Sequence, residues 1–295
     1  MGMANKLPLA KRVQILSMLV EGSSMRSISR VADVSTNTVA KLLEEAGEAC
    51  NEGHDQLVQN VPAKRVQCDE IWSFCYAKQK QLATCKAAPA EAGDVWTWTA
   101  IDADSKLIVS YLIGGRDAGY AGDFMEDVAG RLANRVQLTT DGHNAYLSAV
   151  ENAFGDGVDY AQLVKIYGEP PADTPERKYS PGECCGIQKS RVTGSPDPKH
   201  VSTSYVERHN LAMRMSMRRF TRLTNGFSKK MDNHFFALAL YFFHYNFCRI
   251  HKSLRVSPAM EAGITDRLWT LEELVEKMDA LLYPPQKRGP YKKRA

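Results

Sequence analysis

The chain has 295 residues, 44% of them hydrophobic, and carries a net charge of +4 at pH 7. This length fits one large domain or two to three small ones, and the apolar content is ordinary for a folded protein with a sizeable core. The most apolar stretch, residues 235–247, contains His244 and Asn246. It is shorter than the roughly 20 apolar residues that span a bilayer, so we expect a buried helix and no membrane partner.

The seven cysteines form no recognisable ligand pattern. Their number is odd, Cys184 and Cys185 are adjacent, and no two cysteines have the CxxC spacing of a structural zinc site. The N-terminus also lacks the apolar core of a secretory signal. We therefore expect reduced, mostly buried thiols in a cytoplasmic protein.

Three short helices are predicted between residues 9 and 46, where apolar residues recur at helical spacing. Ser24 and Ser35 are suitable N-caps for the second and third helices. Residues 27–39 resemble a helix-turn-helix unit, whose last helix places its N-terminal residues on base edges in the major groove. The residues in that position are Thr36, Asn37, Thr38 and Lys41.

An alternative for this segment is a small helical bundle that only packs on the main domain. Residues 1–43 contain six Lys/Arg against two acids, Glu21 and Asp33, which favours DNA binding. The sequence thus predicts an all-α helix-turn-helix module at 1–48. The acidic and polar residues 49–64 are predicted to form a linker.

From residue 66 onward, the pattern predicts three strands, a helix, a strand, a helix and one further strand. The strands are predicted at 66–76, 95–102, 106–113, 136–140 and 160–166, and the helices at 119–134 and 144–154. Residues 168–203 are rich in Pro, Gly, Lys, Asp and Ser, so a long irregular insertion is predicted there.

Helices are expected again in the C-terminal part of the chain. A long helix or helix pair is predicted over residues 204–250. Thr270 and Glu273 have capping-box spacing at the start of a final helix within the segment 265–284. The tail, 285–295, is strongly basic and is expected to be disordered.

Three acidic residues lie in contexts that suit a two-metal phosphodiester site. Asp69 lies in the first predicted strand, Asp141 directly follows the fourth, and Glu207 lies in a helical, basic stretch. Hard divalent cations take oxygen ligands, and two such ions can bind the attacking and the leaving oxygen of a phosphodiester. Carboxylates that lie close together repel one another unless cations separate them.

Each of these acids also has a purely structural interpretation. Asp69 competes with Glu70, because strand alternation allows only one of the two to face the site, and we choose Asp69. Asp141 is a natural turn residue before glycine, and Glu207 is also explained as a surface acid paired with an arginine. Asp102, at a strand end, is better explained as a turn residue than as a fourth acid.

The helix that carries Glu207 is predicted to have a polar and an apolar face. Three residues follow on nearly the same face as Glu207, at i+3, i+7 and i+11: Asn210, Arg214 and Arg218. The apolar stripe is expected to pack on the sheet and consists of Val206, Met213, Met217 and Phe220. The polar face would then offer a carboxylate, an amide and cations to DNA.

Residues 208–230 contain no acid and seven basic residues: Arg208, Arg214, Arg218, Arg219, Arg222, Lys229 and Lys230. Such a run is either a solvated face or a track of phosphate contacts, and its position after a candidate metal ligand favours the track. His251 and Lys252 either approach the same site or form a basic cluster at a helix C-terminus.

Four segments, taken together and in order, resemble the DDE insertion-sequence transposases. They are CDEIWS at 68–73, TTDGHNAY at 139–146, SYVERHN at 204–210, and YNFCRIHKSL at 245–254 followed by SPAMEAGI at 257–264. The resemblance covers residues 66–264. Many relatives place the last two acids closer together, so the segment 168–203 would be an insertion before the Glu207 helix.

The resemblance implies an α/β fold of the ribonuclease-H type over residues 65–264, with a mixed five-stranded sheet flanked by helices. It implies that Asp69, Asp141 and Glu207 are catalytic and hold two Mg²⁺ ions, with Mn²⁺ as a substitute. The implied reaction is cleavage at element ends, followed by transfer of the 3′-OH to target DNA. The expected partners are double-stranded DNA (element terminal repeats and target) and further copies of the chain, in a prokaryotic nucleoid.

The leading hypothesis is therefore a DNA transposase of an insertion sequence. A DNA-binding regulator with an inactive ribonuclease-H-like fold is one alternative, and the presence of all three acids argues against it. A related metal-dependent nuclease that does not join strands is another. Only an analysis of reaction products for joined strands separates that nuclease from a transposase.

Overall fold

Six strands form one mixed sheet in the computed structural model, which describes residues 6–168, 184–221 and 224–282. In chain order the strands are β1 (Arg65–Cys75), β2 (Gly93–Asp102), β3 (Ile108–Gly114), β4 (Val136–Thr140), β5 (Val158–Tyr167) and β6 (Cys184–Thr193). Their spatial order is β3-β2-β1-β4-β5-β6. β4 is parallel to both β1 and β5, and the other neighbouring pairs are antiparallel. The five strands that the sequence predicts are present.

The sixth strand corrects the prediction of a five-stranded sheet. β6 lies inside the segment 168–203, which the sequence predicts to be irregular, and pairs antiparallel with β5. None of its residues is buried. It therefore lacks the alternating buried face that gives a strand its two-residue hydrophobic period. Residues 169–183 of the same segment lie outside the described residues.

Helices flank the sheet on both faces. In chain order they are α1 (Leu9–Val20), α2 (Met25–Ala32), α3 (Thr36–Leu57), α4 (Ala118–Arg131), α5 (Ala145–Phe154), α6 (Ser204–Ser216), α7 (Met231–Phe243), α8 (Pro258–Glu261) and α9 (Leu271–Leu282). Short 3₁₀ turns occur at Gln79–Thr84 and Arg218–Phe220, and a π-helical turn at His244–Cys248 extends α7.

Neighbouring side chains of β1 enter two different cores. Cys68 belongs to the core that contains Trp98 of β2 and Phe124 of α4, whereas Ile71 belongs to the core that contains Val206 of α6 and Phe242 of α7. This division follows from strand alternation, which sends successive side chains to opposite faces. The apolar stripe predicted for the Glu207 helix lies in the second core, as expected, and comprises Val206, Met213, Met217 and Phe220.

The N-terminal helices begin at the predicted caps. The side chain of Ser24 accepts a hydrogen bond from the backbone N–H of Ser27, and that of Ser35 accepts one from Thr38. Each cap satisfies a backbone donor that has no partner within the helix. The three helices share one continuous core with the sheet, through residues such as Leu16.

α3 is longer than the sequence suggests. Its residues 49–57 are helical and do not form the predicted linker. Small residues build its contact with α7: a Cβ on Gly47 would lie 2.4 Å from Cβ of Phe236, and one on Gly53 would lie 2.9 Å from the ring of Phe243. Glycine allows this close approach of helices, but it adds no hydrophobic signal to the sequence.

The C-terminal capping box is confirmed. The backbone N–H of Glu273 donates to Oγ1 of Thr270 at 3.2 Å, and that of Thr270 donates to Oε2 of Glu273 at 2.8 Å. Within the described ranges, no helix is both long and apolar enough to cross a membrane. The basic tail, 285–295, lies outside those ranges.

None of the seven cysteines, all of which lie in the described ranges, forms a disulfide. Cys50, Cys68 and Cys75 are buried, whereas Cys184 and Cys185 are exposed on β6. The expectation of mostly buried thiols is therefore wrong for this edge strand, because β6 has no buried face.

Candidate active site

Asp69 and Asp141 lie close together because β4 ends at Thr140, whereas the neighbouring strand β1 continues past that point. The parallel pairing of the two strands runs from Arg65 beside Gln137 to Gln67 beside Thr139. β1 extends to Cys75, so Asp69 lies next to the turn that Asp141 opens. Oδ1 of Asp141 accepts a hydrogen bond from the backbone N–H of His143 at 3.0 Å, which fixes the carboxylate within that turn.

Glu70 joins these two acids from the opposite face of β1. Asp69 points towards α6, where its Oδ2 accepts a hydrogen bond from Nδ2 of Asn210 at 2.9 Å. Glu70 points towards α5, where its Oε2 accepts one from the hydroxyl of Tyr146 at 3.0 Å. One carboxylate oxygen from each of Asp69, Glu70 and Asp141 lies within 4.8 Å of the other two.

The prediction that only one of Asp69 and Glu70 faces the site is therefore wrong. Alternation does send the two side chains to opposite faces of the sheet, as expected. Asp141, however, lies beyond the end of its own strand, and no neighbouring strand separates the two faces at that point. Its carboxylate approaches both acids around the end of β4.

Glu207 lines the same cleft from α6. The cleft has a volume of about 860 Å³, and we call it the acidic cleft; its charged residues are Asp69, Glu70, Asp141, Glu207, Arg116, Lys165 and Arg214. Oε1 of Glu207 accepts a hydrogen bond from Oγ1 of Thr203 at 2.5 Å, and Oε2 pairs with Nζ of Lys165. The three predicted acids thus share one cleft, although Glu207 is not part of the close group of three.

Burial and mutual repulsion disfavour the charged form of the cluster. Burial raises the pKa of Asp69 to about 7, and the carboxylates of Glu70 and Asp141 add to the shift. The pKa of Glu70 is also raised, by burial first and then by Asp141, against the lowering effect of Arg116. Several carboxylates held together at this cost are the usual environment of a bound cation.

Basic side chains in the acidic cleft partly neutralise its acids. Nε of Arg116 donates to Oε1 of Glu70 at 2.6 Å, and its Nη2 lies 3.8 Å from Oδ2 of Asp141. The guanidinium also stacks on Trp96, 4.6 Å from the ring centroid. Lys165 neutralises Glu207.

Sequence reasoning missed several residues of the acidic cleft. Arg116 lies in the loop after β3, Lys165 near the end of β5, and Tyr146 on α5. These three residues come from separate elements, so no regular spacing in the sequence connects them. Glu70 is recognisable as a candidate from its position beside Asp69, but strand alternation predicts that it points away from the site.

The predicted DNA-contacting residues divide between several places. Asn210 and Arg214 line the acidic cleft. Arg218 does not, because α6 ends at Ser216 and a 3₁₀ turn follows, which breaks the predicted i+11 register. Arg218 lines another cavity of about 640 Å³ beside α2, together with Arg26.

Arg219 is half-buried and hydrogen-bonded within the fold. Its Nη1 donates to Oγ of Ser228 at 2.6 Å, and Ser228 is hydrogen-bonded to Nδ1 of His234 at 2.8 Å. Burial lowers the pKa of the Arg219 guanidinium to about 10. Lys229 and Lys230 are exposed, whereas Arg222 lies outside the described residues.

His251 and Lys252 line a second, separate cleft. Its volume is about 320 Å³, and we call it the basic cleft; its polar side chains are Lys106, Tyr205, Arg208, His209, Tyr245, Arg249, His251, Lys252 and Ser253. Neither His251 nor Lys252 lines the acidic cleft, so the structure does not bring these two residues together with the acids.

The predicted base-contacting residues lie at the start of α3. Thr36, Asn37 and Lys41 are exposed. Thr38 is half-buried, and its Oγ1 is hydrogen-bonded to Oγ of Ser35 at 2.8 Å. Asp102 has the predicted turn role, since its carboxylate accepts hydrogen bonds from Asp104 and Ser105.

Comparison with known proteins places transposase–DNA complexes among the structural neighbours. No family model and no curated protein matches the chain. A Mos1 transposase paired-end complex with the left transposon end is 13% identical, covering 54% of this chain and 60% of that chain, with a TM-score of 0.22. A piggyBac transposase synaptic complex with hairpin DNA is 11% identical over 95% of this chain and 73% of that chain, with a TM-score of 0.37.

A mariner Mos1 paired-end complex with Mg is 11% identical over 81% of this chain and 80% of that chain, with a TM-score of 0.24. In the first Mos1 match, this chain spans less than two thirds of the transposase. TM-scores this low carry no inference about activity. The function is therefore inferred from the side chains of the acidic cleft.

Proposed function

We propose that this protein is a DNA transposase of an insertion sequence, which cuts and joins DNA strands in the acidic cleft with the help of divalent cations. One observation carries the proposal. Asp69 and Glu70 of β1, Asp141 at the end of β4 and Glu207 of α6 line one open cleft. Asp69, Glu70 and Asp141 each place a carboxylate oxygen within 4.8 Å of the other two. Oxygen-only donor sets of this kind suit Mg²⁺ and Mn²⁺.

The residues present fit such cations. Burial first, and then the carboxylates of Glu70 and Asp141, raise the pKa of Asp69, and a bound cation would offset this cost of ionising it. Oδ1 of Asn210, which also lines the cleft, is buried and has no hydrogen-bond partner among the described residues. Asp69, Asp141 and Glu207 would hold two Mg²⁺ ions, while Glu70 keeps its bonds to Arg116 and Tyr146. Bound in pairs, such ions stabilise the attacking and the leaving oxygen of a phosphodiester.

The other residues of the acidic cleft orient the acids and the strand. Asn210 holds the carboxylate of Asp69. Lys165 pairs with Glu207. It would be available to a DNA phosphate if that carboxylate held a metal ion instead. Arg116 and Arg214 add positive charge along the cleft wall, where a polyanionic strand needs it.

Recognition of the element ends is assigned to α3. Thr36, Asn37, Thr38 and Lys41 would read bases in the major groove, as the second helix of a helix-turn-helix unit does. Lys229 and Lys230 would contact phosphates. Transposition joins two ends to one target, so we expect two or more copies of the chain in the active complex.

The test is a cleavage and joining assay on duplexes that carry the DNA flanking the chain's own coding sequence. With Mg²⁺ we expect cut and joined strands from the natural protein, and neither product from Asp141→Asn, which should still bind the duplex. Asp123→Asn, an exposed acid on α4, is the matched control and should behave as the natural protein.

Undiminished joining by Asp141→Asn would overturn the catalytic assignment. Cut strands without joined products would identify a nuclease, and binding without any cutting would identify a regulator. Either of these two results would overturn the proposal that the protein is a transposase.

A further inference from the structure

The basic cleft lies on a different face of α6 from the acids. Tyr205, Arg208 and His209 line the basic cleft, whereas Glu207 and Asn210 line the acidic one. Residues at these spacings point away from each other on a helix of 3.6 residues per turn. The two clefts are therefore separate sites that share one helix.

Among the described residues, no acid lines the basic cleft. Its lining includes four side chains that carry a positive charge and one imidazole: Lys106, Arg208, Arg249, Lys252 and His251. Across the described ranges, none of the ion pairs involves Arg208, Arg249 or Lys252. Basic side chains that no acid of the described residues neutralises create a positive potential, which favours the binding of an anion.

The cations are close enough to act on one another. The pKa of His251 is lowered, by burial first and then by Lys106, Arg249 and Arg208. Lys106 has a left-handed backbone (φ 62°), which is uncommon for a residue with a side chain. Its Nζ lies 3.3 Å from the centroid of the Tyr205 ring.

A buried imidazole without a partner lies at the floor of this cleft. His209 is only 3% exposed, and neither of its ring nitrogens has a hydrogen-bond partner among the described residues. Aromatic rings hold it in place: it stacks on Phe242 at 5.9 Å and meets the edge of Tyr245 at 4.6 Å between centroids. Buried polar groups are normally hydrogen-bonded, so this imidazole points to a ligand.

We propose that the basic cleft binds a phosphate of a nucleic-acid backbone. Arg208, Arg249 and Lys252 supply the charge, and His209 supplies a hydrogen bond from the floor. Assigning the phosphate to DNA rests on the proposed function. A strand held there would be fixed relative to Glu207, because α6 carries residues of both clefts.

The first test measures the salt dependence of DNA binding in EDTA, where the acidic cleft holds no cation. A fluorescein-labelled duplex is titrated with the natural protein, with the double variant Arg208→Ala/Arg249→Ala, and with the control Lys80→Ala/Lys86→Ala, which removes two exposed cations far along the chain. Each lost phosphate contact lowers the slope of log K against log salt by about 0.9. We expect the Arg208/Arg249 variant to lose about 1.8 of slope relative to the control.

Equal slopes for the two double variants would overturn the proposal. Because this measurement needs no cleavage, it stays informative if the protein proves to be catalytically inactive. Failure of the natural protein to bind any duplex would overturn both the DNA assignment and the proposed function.

The second test uses inorganic phosphate as the probe and follows the ring resonances of His251 by NMR. We expect phosphate to shift them in the natural protein and the duplex to compete, and we expect His209→Phe, which keeps the ring packing, to abolish the shift. An unaltered response in His209→Phe would remove His209 from the site. A phosphate shift without competition from the duplex would identify a site for free phosphate and overturn its assignment to DNA.

Discussion

Asn210 donates a hydrogen bond from Nδ2 to Oδ2 of Asp69 at 2.9 Å, and this bond joins α6 to β1 at the acidic cleft. Gln67, two residues before Asp69, accepts hydrogen bonds from the backbone N–H groups of Tyr205 and Val206 at the start of the same helix. Side-chain bonds from β1 therefore fix α6 at two points. Glu207 lies between them, so its position relative to Asp69 is set by this pair of anchors.

Replacing Asn210 by alanine is expected to lower the rate of strand cleavage by about 10- to 100-fold, as loss of a residue that orients a metal ligand usually does. DNA affinity should hardly change. Single-turnover cleavage and Mn²⁺ titration check this, with Gln188→Ala on the exposed edge strand as the control. Equal Mn²⁺ affinity and equal rates in both variants would contradict the positioning role.

The metal-free protein is expected to lose stability as the pH rises from about 4 to about 7. The folded-state pKa of Asp69 is raised to about 7, whereas an unfolded aspartate titrates near 3.9. Between these values the folded state holds a proton that the unfolded state has released, so raising the pH favours unfolding. Thermal unfolding in EDTA across this range measures the effect.

Asp69→Asn should flatten that pH dependence, and Asp123→Asn, which changes an exposed acid, should leave it intact. Mn²⁺ should also flatten it, because the cation compensates for the repulsion. A pH profile that is the same in Asp69→Asn and in the natural protein would show that Asp69 is not the group responsible.

Asn37→Ala is expected to reduce discrimination between element ends and unrelated DNA by about 1–3 kcal/mol, the usual contribution of a base-contacting side chain. Asn37 is exposed near the N-terminus of α3. Competition binding with specific and unrelated duplexes measures the change. Glu44→Ala, exposed further along the same helix, is the control, and equal discrimination in both variants would remove α3 from base recognition.

Gly47→Ala is expected to destabilise the protein by about 1–3 kcal/mol, because the added methyl has no room between packed helices. Its Cβ would lie 2.4 Å from Cβ and 2.6 Å from Cα of Phe236. Gly122→Ala, where nothing lies within 4 Å of the new Cβ, should instead gain up to about 1 kcal/mol of helix stability. Urea unfolding of both variants tests the close packing of α3 on α7.

The strands with a buried face could be predicted from the sequence, and β6 could not. Residues 136–140 are mostly buried and rich in β-branched side chains, so this strand could be recognised. β6 pairs through its backbone alone, and its side chains carry no burial pattern. The helical continuation of α3 was missed for a related reason, because glycine and alanine at its buried face resemble a linker in composition.

The local sequence contexts identify Asp69, Asp141 and Glu207 as candidate acids, but they do not predict how these acids are arranged in space. Alternation along β1 correctly separates Asp69 from Glu70. It does not reveal that β4 stops beside them, which is what lets Asp141 approach both. Arg116 and Lys165 come from loops and strand ends far apart in the chain, and only the folded structure brings them to the acidic cleft.

Anomalous scattering from Mn²⁺ in crystals of the protein bound to DNA would show directly whether the acidic cleft holds cations. We expect anomalous peaks in the acidic cleft, bonded to the carboxylates of Asp69 and Asp141, and their loss in Asp141→Asn. An ordered acidic cleft without any peak, in a complex with DNA and excess Mn²⁺, would overturn the proposed metal-dependent activity.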